Sequence, residues 1–130
     1  MGPQRSIVEA FEIRAGMKVG LVNEPDDFDE LLGTLPPGAE LLHRASEPLD
    51  VLIYFSDSLD SIKTRLPYLA RLVAGDAALW MVHPRDGLGG SPEEGTAAVV
   101  RVGTDSGLTP DGTTVVNERW MAVRFRRADL

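Results

Sequence analysis

The fold is decided by one stretch of the chain, Asp50-Val51-Leu52-Ile53-Tyr54-Phe55, and by the Ser56-Asp57-Ser58 that follows it. A run that is almost entirely apolar is typical of a parallel strand buried on both faces of a sheet. Serine and aspartate are favoured N-caps, because their side-chain oxygens accept hydrogen bonds from the first free amides of a helix. The stretch therefore predicts a central parallel strand that leads directly into a helix.

The helix after this strand is the longest one that the sequence predicts. Gly75 is expected to end it, because glycine adopts the left-handed C-cap conformation without strain. Pro67 falls inside the pattern and is expected to kink the helix or to begin its second half, since proline removes one backbone donor. The helix is indicated by apolar residues at helical spacing, namely Leu59, Ile62, Leu66, Leu69, Leu72 and Val73.

The same alternation of strand and helix extends outward on both sides. The helix that begins at Ser91 has an N-cap, a following proline and a capping glutamate, but Gly95 and Gly103 predict that it is weak. Strands are predicted over 17–23, 40–45, 77–82, 113–118 and 121–127, and further helices over 7–13 and from Pro25 to Gly33.

Strands that alternate with helices and end in a hairpin predict an α/β fold. We expect three layers in a Rossmann-like arrangement: a trimmed methyltransferase-like, mostly parallel sheet between helices, with a C-terminal antiparallel β-hairpin. A chain of 130 residues suits one domain. The prediction is a single α/β domain over 1–130, with an N-terminal helix or extension over 1–15 and the core over 16–130.

The composition narrows the classes of function. A net charge of −7 argues against binding to nucleic acid, because phosphate neutralisation needs a dense basic face. The one basic cluster, Arg124, Arg126 and Arg127, is interpreted as the solvated face of the last strand. Since cysteine is absent, disulfides and thiolate metal sites are excluded. No apolar run has the length of a membrane span or follows Met1 as a signal segment does, so we expect a cytoplasmic protein without a membrane partner.

The closing element Glu118-Arg119-Trp120-Met121-Ala122-Val123-Arg124-Phe125 carries a resemblance to a known family, together with Leu66-Pro67, Leu69, Leu79-Trp80 and Pro84. From about Ala15 onward the chain resembles a family of small bacterial proteins classified as a domain of unknown function. That family usually has lysine in place of Arg85 and Ser-Gly in place of Met121-Ala122. The resemblance implies a fold and assigns no catalytic residue.

A methyltransferase-like topology raises the question of S-adenosylmethionine. Such a site, like a dinucleotide site, needs a glycine-rich turn after the first strand and an acid after the second. The first strand is instead followed by Asn23-Glu24-Pro25-Asp26-Asp27, which lacks glycine and whose carboxylates repel a phosphate. Glu47 is the candidate ribose acid after the second strand. We therefore expect no cofactor.

Parallel strands end at one edge of a sheet, and ligands bind there where the strand order reverses. That edge is expected to collect polar residues suited to binding a metabolite or to acid–base chemistry: Asn23, Glu24, Ser56, Asp57, His83, Arg85, Asn117 and Glu118. A structural interpretation stays open, because Ser56 and Asp57 are also good N-caps and Glu24 can form a surface ion pair with Arg85.

Among the titratable groups, His83 is the best candidate, since histidine titrates near neutral pH. His43 is expected to be solvated on an edge strand. The acids Asp26, Asp27 and Asp29 are explained by the dipole of the helix that they begin, so no metal site is expected. Loop 87–90 lacks the lysine of a phosphate-binding loop, and Trp80 and Trp120 are interpreted as core residues.

Two hypotheses follow. The first is a non-catalytic domain that acts in binding or in self-association, for example as a homodimer. The second is a small-molecule enzyme or metabolite-binding protein that uses the strand-end residues. A cleft at the strand ends that is lined by convergent polar groups favours the second hypothesis. Strand ends whose space is filled by side chains, with an exposed apolar patch elsewhere on the surface, favour the first.

Overall fold

The computed structural model describes residues 7–43, 49–86, 88 and 91–127. Glu47, most of loop 87–90 and the chain before Ile7 lie outside the described residues. Within the described part, no helix is both long and apolar enough to cross a membrane. The elements in chain order are α1 (Ile7–Ala10), β1 (Lys18–Val22), α2 (Phe28–Leu32), β2 (Glu40–Leu42), β3 (Leu49–Phe55), α3 (Leu59–Ala70), β4 (Val73–Pro84), α4 (Pro92–Asp105), β5 (Leu108–Val115) and β6 (Trp120–Arg127).

The strands form one sheet in the order β2-β1-β3-β4-β6-β5. Strands β2, β1, β3 and β4 run parallel to one another, while β6 is antiparallel to both β4 and β5. The predicted fold class is confirmed: a mostly parallel, methyltransferase-like sheet closed by an antiparallel hairpin.

Both faces of the sheet are covered. Neighbouring residues of each central strand point to opposite sides of the sheet, so they are buried in different cores. Ile53 and Leu79 lie on adjacent strands and are fully buried, in opposite cores. One core contains apolar residues of α3 and α4, and the other is built around Phe11 and Phe28 beside α1 and α2. Trp80 belongs to the second core, where its indole Nε1 donates to the carbonyl of Phe11 at 3.1 Å.

Helix α3 begins where the sequence predicts and ends earlier. Ser58 is the N-cap, and its hydroxyl accepts from the amide of Ser61 at 3.2 Å. Pro67 lies inside the helix, but the helix ends at Ala70. The prediction that Gly75 caps it is wrong, since Gly75 belongs to β4. Pairing of Val73 with Leu49 of β3 begins the strand before Gly75 is reached.

Helix α4 has the predicted cap, and its glycines have a packing role. Ser91 and Glu94 form a reciprocal capping box, each side chain accepting from the other residue's backbone amide. A Cβ atom added at Gly103 would lie only 2.3 Å from the Phe125 ring of β6, whereas one at Gly95 meets its nearest atom at 3.5 Å. Gly103 therefore lets the helix approach the sheet.

Replacing Gly103 with alanine is expected to lower the free energy of unfolding by about 1–2 kcal/mol. The cost of overpacking, on the order of 1–3 kcal/mol, exceeds the helix-propensity gain of up to about 1 kcal/mol. Gly95→Ala is the control in the same helix and is expected to be neutral or stabilising. Urea denaturation of both variants measures the difference, and equal effects at the two positions would contradict the close approach.

Two of the three arginines of β6, Arg126 and Arg127, are exposed as the sequence predicts, whereas Arg124 is partly buried. Arg124 pairs with Glu12 at 3.1 Å and with Asp111 of β5 at 2.7 Å, and Arg126 contacts the same aspartate at 3.2 Å. These ion pairs connect the hairpin to the segment that follows α1. Arg124 is less solvated than expected because Glu12 and Asp111, distant in sequence, both meet this face of β6.

Candidate functional site

The order of the strands reverses beside β1. The chain passes from β1 to β2 on one side and then returns to β3 on the other. Neighbouring parallel strands whose connections leave in opposite directions open a crevice at their carboxyl ends, which is the usual ligand position in such sheets. In this chain the crevice is bordered by Asn23, which follows β1, and by Ser56, which follows β3.

Asn23 joins the two strand ends. Its backbone is left-handed, with a φ of 60°, a conformation that asparagine tolerates better than most residues. Its side-chain Nδ2 donates to the carbonyl of Phe55 at 2.9 Å. The turn after β1 is thereby held against the end of β3, although it contains no glycine.

The strand-end cleft has a volume of about 310 Å³. It brings together four predicted site residues, Asn23, Glu24, Ser56 and Asp57, which come from the ends of β1 and β3. Trp120 of β6 forms part of the wall, packed edge-on against Phe55 with ring centroids 5.3 Å apart. The described lining residues are Asn23, Glu24, Pro25, Asp26, Phe55, Ser56, Asp57 and Trp120.

A second cleft of about 410 Å³ adjoins the strand-end cleft at Asn23 and extends over α3. His43, which follows β2, lies in its wall, and its Nδ1 contacts Glu24 Oε2 at 2.5 Å. The expected solvation of His43 is confirmed, since the side chain is 57% exposed and follows the edge strand β2, but the residue also contacts Glu24. Its position directly after a parallel strand was the signal that could have placed it at this edge. Arg65 and Tyr68 of α3 also line this cleft.

Ser56 has a structural role beside the strand-end cleft. It is buried, its amide donates to the carbonyl of Val82 at 3.0 Å, and its hydroxyl accepts from the amide of Ser58 at 3.2 Å. Burial raises the pKa of Tyr54 above its ordinary value of 10.0, while a hydrogen bond with Ser56 and the charge of Arg65 oppose this shift. Tyr54 is therefore neutral at physiological pH.

His83 lies apart from both clefts. It is fully buried beneath α4, with Nδ1 at 2.9 Å from the carbonyl oxygen of Pro84 and Nε2 at 3.3 Å from Thr96 Oγ1. Burial lowers its pKa from the ordinary 6.5, because the charged imidazolium is desolvated there. The structure does not bring this residue together with Glu24 and Asp57. Its side chain lies on the face of β4 that packs against α4 and does not reach the open edge of the sheet.

The buried His83 predicts a pH dependence of stability. Its folded-state pKa lies below the unfolded value near 6.5, so the unfolded chain binds more protons as the pH falls. The contribution of neutral His83 is therefore fully present above about pH 6.5 and is lost as the pH falls through the folded-state pKa. Urea denaturation should show the free energy of unfolding falling below about pH 6.5.

His83→Gln is expected to flatten this slope between about pH 5 and 6.5. His43→Gln removes the exposed histidine and serves as the control, for which the slope should persist. An unchanged slope in the His83 variant would assign the pH dependence to other groups.

The remaining predicted residues line a different opening, which we call the hairpin cleft. Its volume is about 710 Å³, and it lies between α1 and the β5–β6 turn. Arg85 is therefore placed in the hairpin cleft, while the ion pair of Glu24 is made with His43. The described lining residues are Ala10, Arg85, Thr114, Val115, Val116, Asn117, Glu118 and Arg119.

Metal-binding chemistry finds no support in the described part of the chain. Within it, no group of three or more histidine, aspartate and glutamate side chains is arranged to hold a metal ion. The carboxylates of the strand-end cleft are those of Glu24, which contacts His43, and of Asp26 and Asp57.

Comparison with solved structures identifies the architecture. A SAM-dependent methyltransferase from Aquifex aeolicus aligns over 92% of this chain and 86% of its own, with a TM-score of 0.60 and 12% identity. The fold is that of the methyltransferases. The ribosomal protein methylase of Lactobacillus delbrueckii subsp. bulgaricus has a TM-score of 0.57 and 11% identity, covering 95% of this chain and 76% of that protein. The Methanococcus jannaschii fibrillarin pre-rRNA processing protein has a TM-score of 0.57 and 9% identity, covering 98% and 71%.

No family model matches the sequence, and no curated protein matches it. Identities of 9–12% show a shared methyltransferase-like fold and carry no residue roles.

Proposed function

We propose that this chain is a binding protein for a small, positively charged polar molecule, which it holds in the strand-end cleft without transforming it. The observation that carries the proposal is the convergence of Glu24, Asp26 and Asp57 on one cleft at the point where the strand order reverses. Between the two hypotheses, a polar cleft at the strand ends favours metabolite binding.

The chemistry of the cleft supports a cationic ligand. Among its described lining residues are three acids and no lysine or arginine, so a primary amine or guanidinium group would find charge-assisted hydrogen bonds. Trp120 adds an aromatic ring to the wall of the cleft, and the guanidinium carbon of Arg119 lies 5.9 Å from the centroid of that ring. Packing against Phe55 fixes that ring in place.

The position of His83 supports binding without catalysis. The histidine best suited by sequence to act as a general base is buried under α4, where both ring nitrogens contact protein atoms. A general base must reach within hydrogen-bonding distance of the proton that it removes. His83 cannot do so for a molecule held in the strand-end cleft.

A second candidate function, a small-molecule enzyme, is favoured by the contact between Glu24 and His43. A carboxylate beside an imidazole can orient it and stabilise its charged form, which is the arrangement used for proton transfer in many active sites. If this pair is catalytic, a bound ligand should be converted, and mass spectrometry of the incubated ligand would reveal a product.

We predict that S-adenosylmethionine does not bind at millimolar concentration. Pro25 stands in the turn after β1, where a backbone donor would be required, and Glu24 of this turn already contacts His43. Isothermal titration calorimetry measures this directly. Saturable binding with micromolar affinity would contradict this prediction, but it would not argue against a ligand site at the strand-end cleft.

The proposed function is tested by a thermal-shift screen of the full chain against amines, guanidines, polyols and nucleosides. A ligand that binds the native state must raise the melting temperature. A cationic hit is then titrated into Glu24→Gln and Asp57→Asn, each of which should weaken binding by about tenfold or more. Asp105→Asn removes an exposed acid at the end of α4 and should bind normally.

Equal binding by all three variants would show that the strand-end cleft is not the site. Self-association, a cytoplasmic location and the relation to the bacterial domain-of-unknown-function family stay predictions.

A further inference from the structure

The hairpin cleft has the opposite charge to the strand-end cleft. Arg85 and Arg119 both line it, and Glu118 is the one acid among its described lining residues. In a chain whose net charge is −7, two arginines at one opening form a local positive site.

The backbone places the two arginines side by side. Pairing of β4 with β6 ends at Pro84 and Trp120, and the amide of Arg85 then donates to the carbonyl of Arg119 at 2.9 Å. The turn before β6 is fixed by Asn117, whose Oδ1 accepts from the amides of Arg119 and Trp120 at 2.8 and 3.0 Å. Both arginines are therefore attached to backbone that hydrogen bonds hold in place.

The remaining walls define the size and polarity of an occupant. Ala10, Val115 and Val116 supply an apolar side, and Thr114 adds a hydroxyl. Val115 is 53% exposed, so apolar surface is open to a molecule in this cleft. A volume of about 710 Å³ lies in the range of small-molecule sites.

We propose that the hairpin cleft binds a small organic oxyanion, with Arg85 and Arg119 as its anchors. The planar fork of each guanidinium matches the oxygens of a carboxylate or a phosphate, and two neighbouring forks can share one such group. The apolar wall contacts the organic part of the ligand. The described linings of this cleft and of the strand-end cleft share no residue, so either proposal can fail without the other.

The test is a titration of the ¹⁵N-labelled full chain, followed by NMR, with sodium succinate in one arm and inorganic phosphate in the other. Sodium chloride at matched ionic strength is the reference. Saturable shifts of the backbone amides of Arg85, Arg119 and Trp120 are expected, and the arm that saturates at the lower concentration identifies carboxylate or phosphate. Shifts no larger than those caused by chloride in both arms would overturn the proposal.

Variants assign the binding to the two side chains. Arg85→Gln and Arg119→Gln should each weaken binding by about tenfold or more, since each removes charge-assisted hydrogen bonds. Arg119→Lys keeps the charge but loses the fork, and intermediate weakening is expected. Arg101→Gln removes an exposed arginine of α4 and should bind like the original chain. Undiminished binding by both glutamine variants, with unchanged melting temperatures, would contradict the assignment.

Discussion

A chain that ends at Glu118 is expected to be insoluble or molten. Strand β6 lies between β4 and β5 and pairs with both, so its removal leaves β5 without its neighbour in the sheet and exposes an edge of β4. It also removes Val123 and Phe125, two fully buried residues of the core that includes apolar residues of α4. The exposed face of α4 would then promote aggregation.

Three measurements distinguish a molten chain from a folded one. Near-ultraviolet circular dichroism should be lost, a dye that binds apolar surface should become fluorescent, and thermal unfolding should lose cooperativity. A truncated chain that stays monomeric and melts cooperatively near the temperature of the intact protein would show that the hairpin is an appendage rather than part of the fold.

Ile53→Ala and Leu79→Ala are each expected to lower the free energy of unfolding by about 2–5 kcal/mol. Each substitution deletes apolar atoms at a fully buried position of a central strand and leaves a cavity that the surrounding residues fill only in part. Because the two residues belong to opposite cores, the double variant should lose approximately the sum of the two effects.

The matched control is Val115→Ala, which shortens a side chain on the edge strand β5 where it is half exposed. Urea denaturation of this variant should show a change within about 0.5 kcal/mol. A loss below about 1 kcal/mol for Ile53→Ala or Leu79→Ala would contradict the central position of that strand.

Much of the fold was predictable, because the deciding signals are local. The apolar run of β3 and the serine caps of α3 and α4 depend on a few consecutive residues, so they can be recognised without knowing the rest of the chain. The start of β4 was missed for the opposite reason. Gly75 suits a helix C-cap, and only the pairing of Val73 with Leu49 extends the strand past it.

The candidate site was predictable in part. Asn23, Glu24, Ser56 and Asp57 share a cleft because each follows a parallel strand, and strand direction can be inferred from the alternation of elements. His43 follows the same rule, but its position at this edge was not predicted, because a residue on an edge strand is expected to face solvent. Trp120 reaches the cleft through the β4–β6 pairing, which is long-range in sequence.

The sequence by itself determined the class of fold, the order of strands and helices, and the absence of cysteine chemistry. These features depend on local periodicity, on helix caps and on composition, all of which can be recognised without knowing which distant residues meet. The tertiary structure alone decided that His83 is buried, that Gly103 lies against Phe125, and that the polar strand ends divide into an acidic cleft and a basic one. Those outcomes depend on which distant side chains meet when the sheet closes and the helices pack on it, and no local pattern encodes such distances.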